Sequence, residues 1–434
     1  MMITSDIKPY PAYKDSGVEW LGEIPAHWEV KRLKYTAPLR VSKLDAKPED
    51  ATYIGLENIE SWTGRLLIQN QPESVESAVD RFEAGDVLFG KLRPYLAKAA
   101  RPEFSGVSTS EILALRPVEY SQSYLLYSLL NKSYIHWVDM LTYGTKMPRV
   151  SPDQVSNSFT PLPPLPEQRA IAAFLDRETA KIGALVAKKE RLIELLQEKR
   201  TALVSDAVTK GLDPDVPMKD SGVEWLGEIP AHWEVKRVSQ ISEILRGKFT
   251  HRPRNDPLLY NGPYPFVQTG DVTRARKKIT SYRQTLNERG LGVSKIFPSG
   301  TLVMTIAANI GDVAVLDFAA CFPDSVVGFV PRSGIERDFL FYVFLAMKPE
   351  LLREAPVNTQ GNLNIERIGS IGSPIPVPSE SEQRAIAAFL DRETAKIDAL
   401  VAKVQEAIDR LKELRTALIS AAVTGKIDVR EAAE

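Results

Sequence analysis

The chain has 434 residues, 44% of them hydrophobic, a formal charge of −1 at pH 7 and one cysteine, Cys321. That length is too great for one hydrophobic core and suits two domains of ordinary size with connecting helices. A lone cysteine excludes an intramolecular disulfide and a Cys-rich metal site. No stretch approaches the roughly 20 apolar residues that a bilayer span needs, so the expected setting is cytoplasmic, with no membrane partner.

Residues 1–32 carry Trp20, Leu21, Ile24, Pro25, Trp28 and Val30 without a regular period. Two indoles are costly to leave in water, so this element is expected to dock on another part of the frame. Residues 33–160 alternate short apolar runs with turns. Thr52–Leu56, Asp86–Phe89 and Ile112–Leu115 read as strands, and Tyr124–Leu130 and Ile135–Leu141 as helices. Residues 161–211 form a first long helix, with Pro166 and Glu167 in its opening turn and Gly211 as its stop. Its apolar residues Ile182, Leu185, Leu192, Leu196 and Leu203 recur nearly every three and four positions, a heptad-like seam.

Residues 212–237 are a linker and a second copy of the opening element: Lys14–Arg32 returns unchanged as Lys219–Arg237. Residues 238–375 are a second mixed region, with strands expected at Pro265–Gln268, Thr301–Ile306, Val313–Leu316 and Val326–Val330 and a helix at Phe339–Leu345. Residues 376–434 carry the second long helix and a tail. Glu382–Ile397 repeats Glu167–Ile182, Ser379 and Glu382 form a possible capping box, and Gly425 supplies the stop. Its seam is Ile397, Leu400, Val404, Leu411, Leu414 and Leu418. The offset between copies is 205 at the first block (14 to 219) and 215 at the second (167 to 382), and the sequences between them share no obvious register. One frame therefore holds two different inserts.

The expected fold is α+β: two mixed α/β domains separated by a pair of long antiparallel coiled-coil helices, with an internal pseudo-twofold repeat. Each helix would run about 65 Å at 1.5 Å per residue. A parallel pair would crowd both inserts at one end, which favours the antiparallel one; the alternative is that each helix packs only on its own insert.

Charge is unevenly spread. Leu245–Lys295 holds eleven Lys or Arg against Asp256, Asp271 and Glu288, whereas Lys43–Asp80 holds eight acids against Lys43, Lys47 and Arg65. Signs of catalysis are weak. Gly290-Leu291-Gly292 lacks the third glycine of a dinucleotide fingerprint, and Gly247-Lys248 and Gly425-Lys426 lack a phosphate loop. His27, His136, His232 and His251 are too scattered for a metal cluster. Asp215 followed by Glu234 and Lys236 loosely matches a metal-dependent nuclease pattern, but the first copy has Glu29 and Lys31 without the Pro-Asp. The chain is read as non-catalytic, with no metal and no cofactor of its own.

Three segments carry a family resemblance: Pro161–Ile171 with its later form Pro374–Ile386, Gly85–Pro94, and Gln360–Asn364. Together with the duplicated order they resemble the specificity subunit of type I restriction-modification enzymes over almost the whole chain. The resemblance implies two target-recognition domains, at 33–160 and 238–375. Each would read one half of a split double-stranded DNA target while the paired helices set the gap. It also implies two modification subunits that bind S-adenosylmethionine and methylate adenine, and two restriction subunits using ATP and Mg. Candidate DNA contacts are Lys91, Arg93, Tyr95, Lys98, Lys146 and Arg149 in the first insert, at turns beside expected strands. In the second they are Arg252, Arg254, Arg274, Arg276, Lys277 and Gln360, with Asn362 as a possible base reader. The rival reading is a two-headed coiled-coil adaptor that binds proteins.

Overall fold

The computed structural model describes residues 8–68, 72, 75, 77–354 and 374–431. It divides into two compact units, residues 1–190 with 404–434 and residues 191–403. The divisions fall inside the two long helices, Leu165–Lys210 and Glu380–Val423, so each unit owns part of both.

In the first unit a four-stranded sheet runs in spatial order Lys43–Leu44, Val79–Phe82, Gly106–Thr109, Tyr53–Ile54. Beside it lies a three-stranded antiparallel sheet, Ile112–Leu115, Val87–Gly90, Ala99–Ala100. Every residue of Ile112–Leu115 is buried, as its unbroken apolar run requires. Helices Gln122–Leu129 and Lys132–Met140 follow, capped by Ser121 and Asn131. In the second unit a five-stranded sheet has the order Ser242–Arg246, Val326–Pro331, Leu302–Thr305, Val313–Leu316, Lys278–Ile279. A four-stranded sheet has the order Gln284–Leu286, Tyr260–Phe266, Ala320–Cys321, Ile296–Phe297, and helix Arg337–Glu354 completes the domain. The expected strand at Pro265–Gln268 ends instead at Phe266, because Gln268 turns into the short helix Thr269–Arg274.

The duplicated element is a small hairpin plus one strand. In the first copy Tyr13–Asp15 pairs with Glu23–Pro25, and Glu29–Arg32 pairs antiparallel with Phe159–Leu162, the strand that leads into the first long helix. In the second copy Met218–Asp220 pairs with Glu228–Pro230, and Glu234–Arg237 with Pro374–Val377, which leads into the second helix. Trp28 and Trp233 are both buried to within 1% exposure, so the indoles do dock on the frame.

Within each unit the two helical parts run in opposite directions. In the second unit Arg200 of the first helix stands 3.8 Å from Asp398 of the second, while Val204 and Val208 share a core with Ile386 and Leu390. In the first unit Ile171 and Leu175 share a core with Ile419 and Val423. The seam is narrower than its period implies. Ile182, Leu196, Ile397, Val404 and Leu418 are buried and Leu203, Leu411 and Leu414 half-buried, but Leu185, Leu192 and Leu400 are 40–47% exposed. The opening turns turn their apolar faces to the unit's own domain, where Ile171, Phe174 and Leu175 are buried. A straight helix then drifts from a 3.5-residue repeat. Gly211 and Gly425 sit at φ +77° and +72°, left-handed stops that glycine adopts without steric cost.

Candidate nucleic-acid interface

Both inserts are held by the same set of contacts at the constant offset 215. Gln168 donates to the Glu119 and Pro163 carbonyls and accepts from the Ser121 amide; Gln383 does the same with Gly334, Pro378 and Glu336. The Tyr127 hydroxyl donates to Asp176 at 2.7 Å, and Tyr342 to Asp391 at 2.6 Å. Burial, reinforced by that carboxylate, pushes the Tyr342 hydroxyl well above its ordinary pKa. A cation that does not follow this offset completes each latch: Arg101 on Asp176, Lys277 on Asp391 at 2.5 Å. Lys277 also reaches Asp338 at 3.0 Å and lies over the Phe341 and Tyr342 rings. Burial works against the Asp338 charge, but hydrogen bonds from Lys277 and Arg337 outweigh it and keep its pKa low. Lys277 is thus a structural tether and not part of the exposed basic surface.

In the first insert two loops meet. Leu92 bridges to Arg149, the Arg93 amide donates to the Pro148 carbonyl, and the Val150 amide to that of Lys91. This brings Lys91, Arg93, Tyr95, Lys146 and Arg149 into one neighbourhood, with Arg93, Tyr95 and Lys146 exposed and Arg149 steadied by Glu111 at 3.1 Å. Tyr143 and Met147 add exposed apolar surface there, at 61% and 47%. Lys98 falls outside: its ammonium donates to the Leu56 and Ile59 carbonyls and ties strand to loop, and burial lowers its pKa.

In the second insert a cavity of about 640 Å³ opens among Arg254, Asn255, Tyr260, Gln268, Thr269 and Gln284. Arg254 donates to Asp324 at 2.5 Å, and Arg252 lies 3.5 Å from the same carboxylate, so the two exposed guanidinium groups are aligned by one acid. Gln268 donates to Gln284, which sets the orientation of both amides across the cavity. Arg274, bonded to Asp271, ends the helix that begins at Thr269, and Arg276 follows it, exposed. The polar residues of this concavity, with amides and guanidinium groups that can grip base edges and phosphates, are those a nucleic-acid reader uses.

The comparisons agree with this chemistry. Residues 230–410 match the model of the type I restriction modification DNA specificity domain. The MjaX type I restriction enzyme specificity subunit of Methanocaldococcus jannaschii is 24% identical, over 94% of this chain and 96% of that one. The MjaVIII specificity subunit of the same organism is 25% identical over 81% and 78%. Residues 230–410 thus carry the likeness to that DNA specificity domain, and the two relatives extend the similarity along most of the chain. A solved structure described as the basis of complex assembly and conformational transition of the type I R-M system has the same fold, with TM-score 0.72 at 20% identity, covering 92% of this chain and 98% of that one.

The nuclease-like residues of the second repeat pair with each other: Glu234 lies 2.7 Å from Lys236 on the strand Glu234–Arg237. Among the described residues no group of three or more His, Cys, Asp or Glu could hold a metal, and no helix is long and apolar enough to cross a membrane. His27 and His232 each lie 2.8 Å from the glutamate that opens a long helix. Gln360 and Asn362 lie outside the described residues. Charge counting singles out the arginines of the second insert and passes over Asn255, Gln268 and Gln284, which line the same cavity as Arg254. The polar run Gln268-Thr269-Gly270-Asp271, next to a strand, was the signal available for Gln268.

Proposed function

We propose that this chain is the specificity subunit of a type I restriction-modification complex and carries two DNA readers, residues 33–160 and 238–375, each recognising one half of a bipartite double-stranded target. Residues 161–211 and 376–434 supply the helices that set the spacer and dock two modification subunits. The observation that carries the reading is the pairing of one repeated latch with two unlike exposed polar surfaces. Gln168, Tyr127 and Asp176 recur as Gln383, Tyr342 and Asp391, while the first insert displays the loops of Arg93 and Lys146 and the second the cavity of Arg254, Gln268 and Gln284. A frame that repeats while its displayed chemistry differs suits reading two different sequences at a fixed separation. Half-sites one helical turn apart are about 34 to 36 Å from each other, a span that a helix of 46 residues exceeds.

In this reading Lys91, Arg93, Tyr95, Lys146 and Arg149 contact the first half-site, and Arg252, Arg254, Arg274 and Arg276 the second. Gln268 and Gln284 join them as readers of adenine edges. S-adenosylmethionine belongs to the modification subunits, and ATP and Mg to two restriction subunits, all in the cytoplasm. The test is exchange of residues 238–373 for a relative's insert, followed by genome-wide mapping of methylated adenine. One half of the target should change and the other should not; change in both halves overturns the assignment. Arg254→Ala should weaken binding to the cognate duplex by about 1–3 kcal/mol, read as a titration at fixed salt. One helical turn inserted after Thr201 should change the spacer alone.

A further inference from the structure

The two units differ at one point of their helix pairing. In the second unit Arg200 has the Asp398 carboxylate opposite it, 3.8 Å from its Nε. At the constant offset of 215, Arg200 corresponds to Arg415 and Asp398 to Gly183, the first residue to change after the identical block Glu167–Ile182. The first unit has therefore kept the arginine and lost its acid. At that place a cavity of about 820 Å³ opens, lined by Ile182, Gly183, Val186, Arg415 and Trp62 among others. Nothing lies within 4 Å of where a Gly183 Cβ would stand.

Arg415 is built into this cavity. One terminal nitrogen donates to the Thr63 carbonyl at 3.0 Å, while the Nε is buried with no hydrogen-bond partner; the Arg200 Nε also makes no hydrogen bond, but it has the Asp398 charge 3.8 Å away, and Arg415 has no acid that near. Burial pulls its pKa down, although a guanidinium stays charged, so its environment lacks the counter-charge that the group demands. Of the acids on the cavity wall only Glu60 acts on Arg415, through space and too weakly to offset burial. Glu60 accepts from Thr63 at 2.8 Å and lies 3.7 Å from Arg65, and neither Glu190 nor Glu413 comes within 4 Å of the Arg415 nitrogens. Lys132 and Lys412 line the same wall and add positive charge. The volume lies in the range of small-molecule pockets, about 300–1,000 Å³, and Trp62, Ile182 and Val186 give it apolar walls.

We infer that the first unit binds a small organic carboxylate with an apolar body, its acid group placed on Arg415 where Asp398 stands opposite Arg200. The carboxylate occupies the room left by Gly183 and accepts from the Nε, and the body fills the space beside Trp62. Such a ligand supplies in trans what the second unit carries in its own chain.

Calorimetric titration of the full chain tests this with benzoate and its neutral isostere benzamide. Benzoate should bind with at least about tenfold preference over benzamide, a 1.4 kcal/mol difference. Gly183→Asp should abolish that preference and raise the melting temperature, since the new carboxylate faces Arg415 in open space. Arg415→Gln should remove the preference while leaving any weak binding of benzamide. Equal binding of acid and amide, no benzoate binding, or undiminished binding in Gly183→Asp overturns the site. Protection of Arg415 only when another protein is added also overturns it, in favour of a partner's acidic side chain.

Discussion

Glu167 and Glu382 open the two long helices with the same sixteen residues, yet they are held by different donors. Glu167 is 6% exposed and accepts from Tyr10 at 2.5 Å, Trp28 at 2.9 Å and His27 at 2.8 Å. Glu382 keeps the histidine and the indole, at 2.8 and 3.2 Å, but Asp215 stands where Tyr10 would be. The missing donor is replaced by Ser379, through its hydroxyl and its amide. Pro164, at the position of Ser379, offers neither group. A helix start can thus be fixed by an aromatic cage or by a capping box, and the duplicated chain uses one of each.

The largest effect on this comparison should come from the shared indoles. Trp28→Ala and Trp233→Ala should each cost about 3–5 kcal/mol in their own unit, seen in calorimetry as displacement of one of two transitions. If either variant moved both transitions equally, the latches would not be independent. Next come the carboxylates. Glu167→Gln should cost about 2 kcal/mol, because three donors are left facing a weaker acceptor inside the core. Glu382 should differ by being pH-sensitive in a defined way. Burial would raise its pKa, but bonds from Ser379, His232 and Trp233 outweigh burial and hold it at about 2, below the usual 4.5. Its stabilisation is therefore complete above pH 4.5 and lost as pH falls toward 2, so the melting difference between Glu382→Gln and the parent should shrink over that window. The smallest effect belongs to the cap: Ser379→Ala should cost about 1 kcal/mol, whereas Pro164→Ala should leave the Glu167 cage intact. Equal losses at the two positions would erase the distinction.

Much of this was legible in the residues. The buried strands Ile112–Leu115 and Val313–Leu316 announced themselves as short apolar runs, and the helices by their caps and glycine stops. The capping box at Ser379 and Glu382 formed as its spacing implied. What one sequence could not give was partnership. Lys277 belongs to the densest run of cations in the second insert, and only the fold shows that Asp338 and Asp391 take it. Lys98 was hidden in the same way by two carbonyls. The seam was over-read because an apolar stripe does not say which stretch faces a helix and which faces its own domain. Leu185, Leu192 and Leu400 are left 40–47% exposed.

The division of the chain inside its long helices bears on the order of synthesis. Residues 191–403 are continuous, so everything the second unit needs emerges from the ribosome in one uninterrupted run. The first unit begins earlier but must wait for residues 404–431, whose Gly425 carbonyl receives Tyr13 and whose Asp428 amide bonds the Lys8 carbonyl. Contacts of that sequence separation close slowly. The half translated first is therefore completed last, and a chain truncated after residue 403 and released should resist protease in its second half while its first half remains open to cleavage.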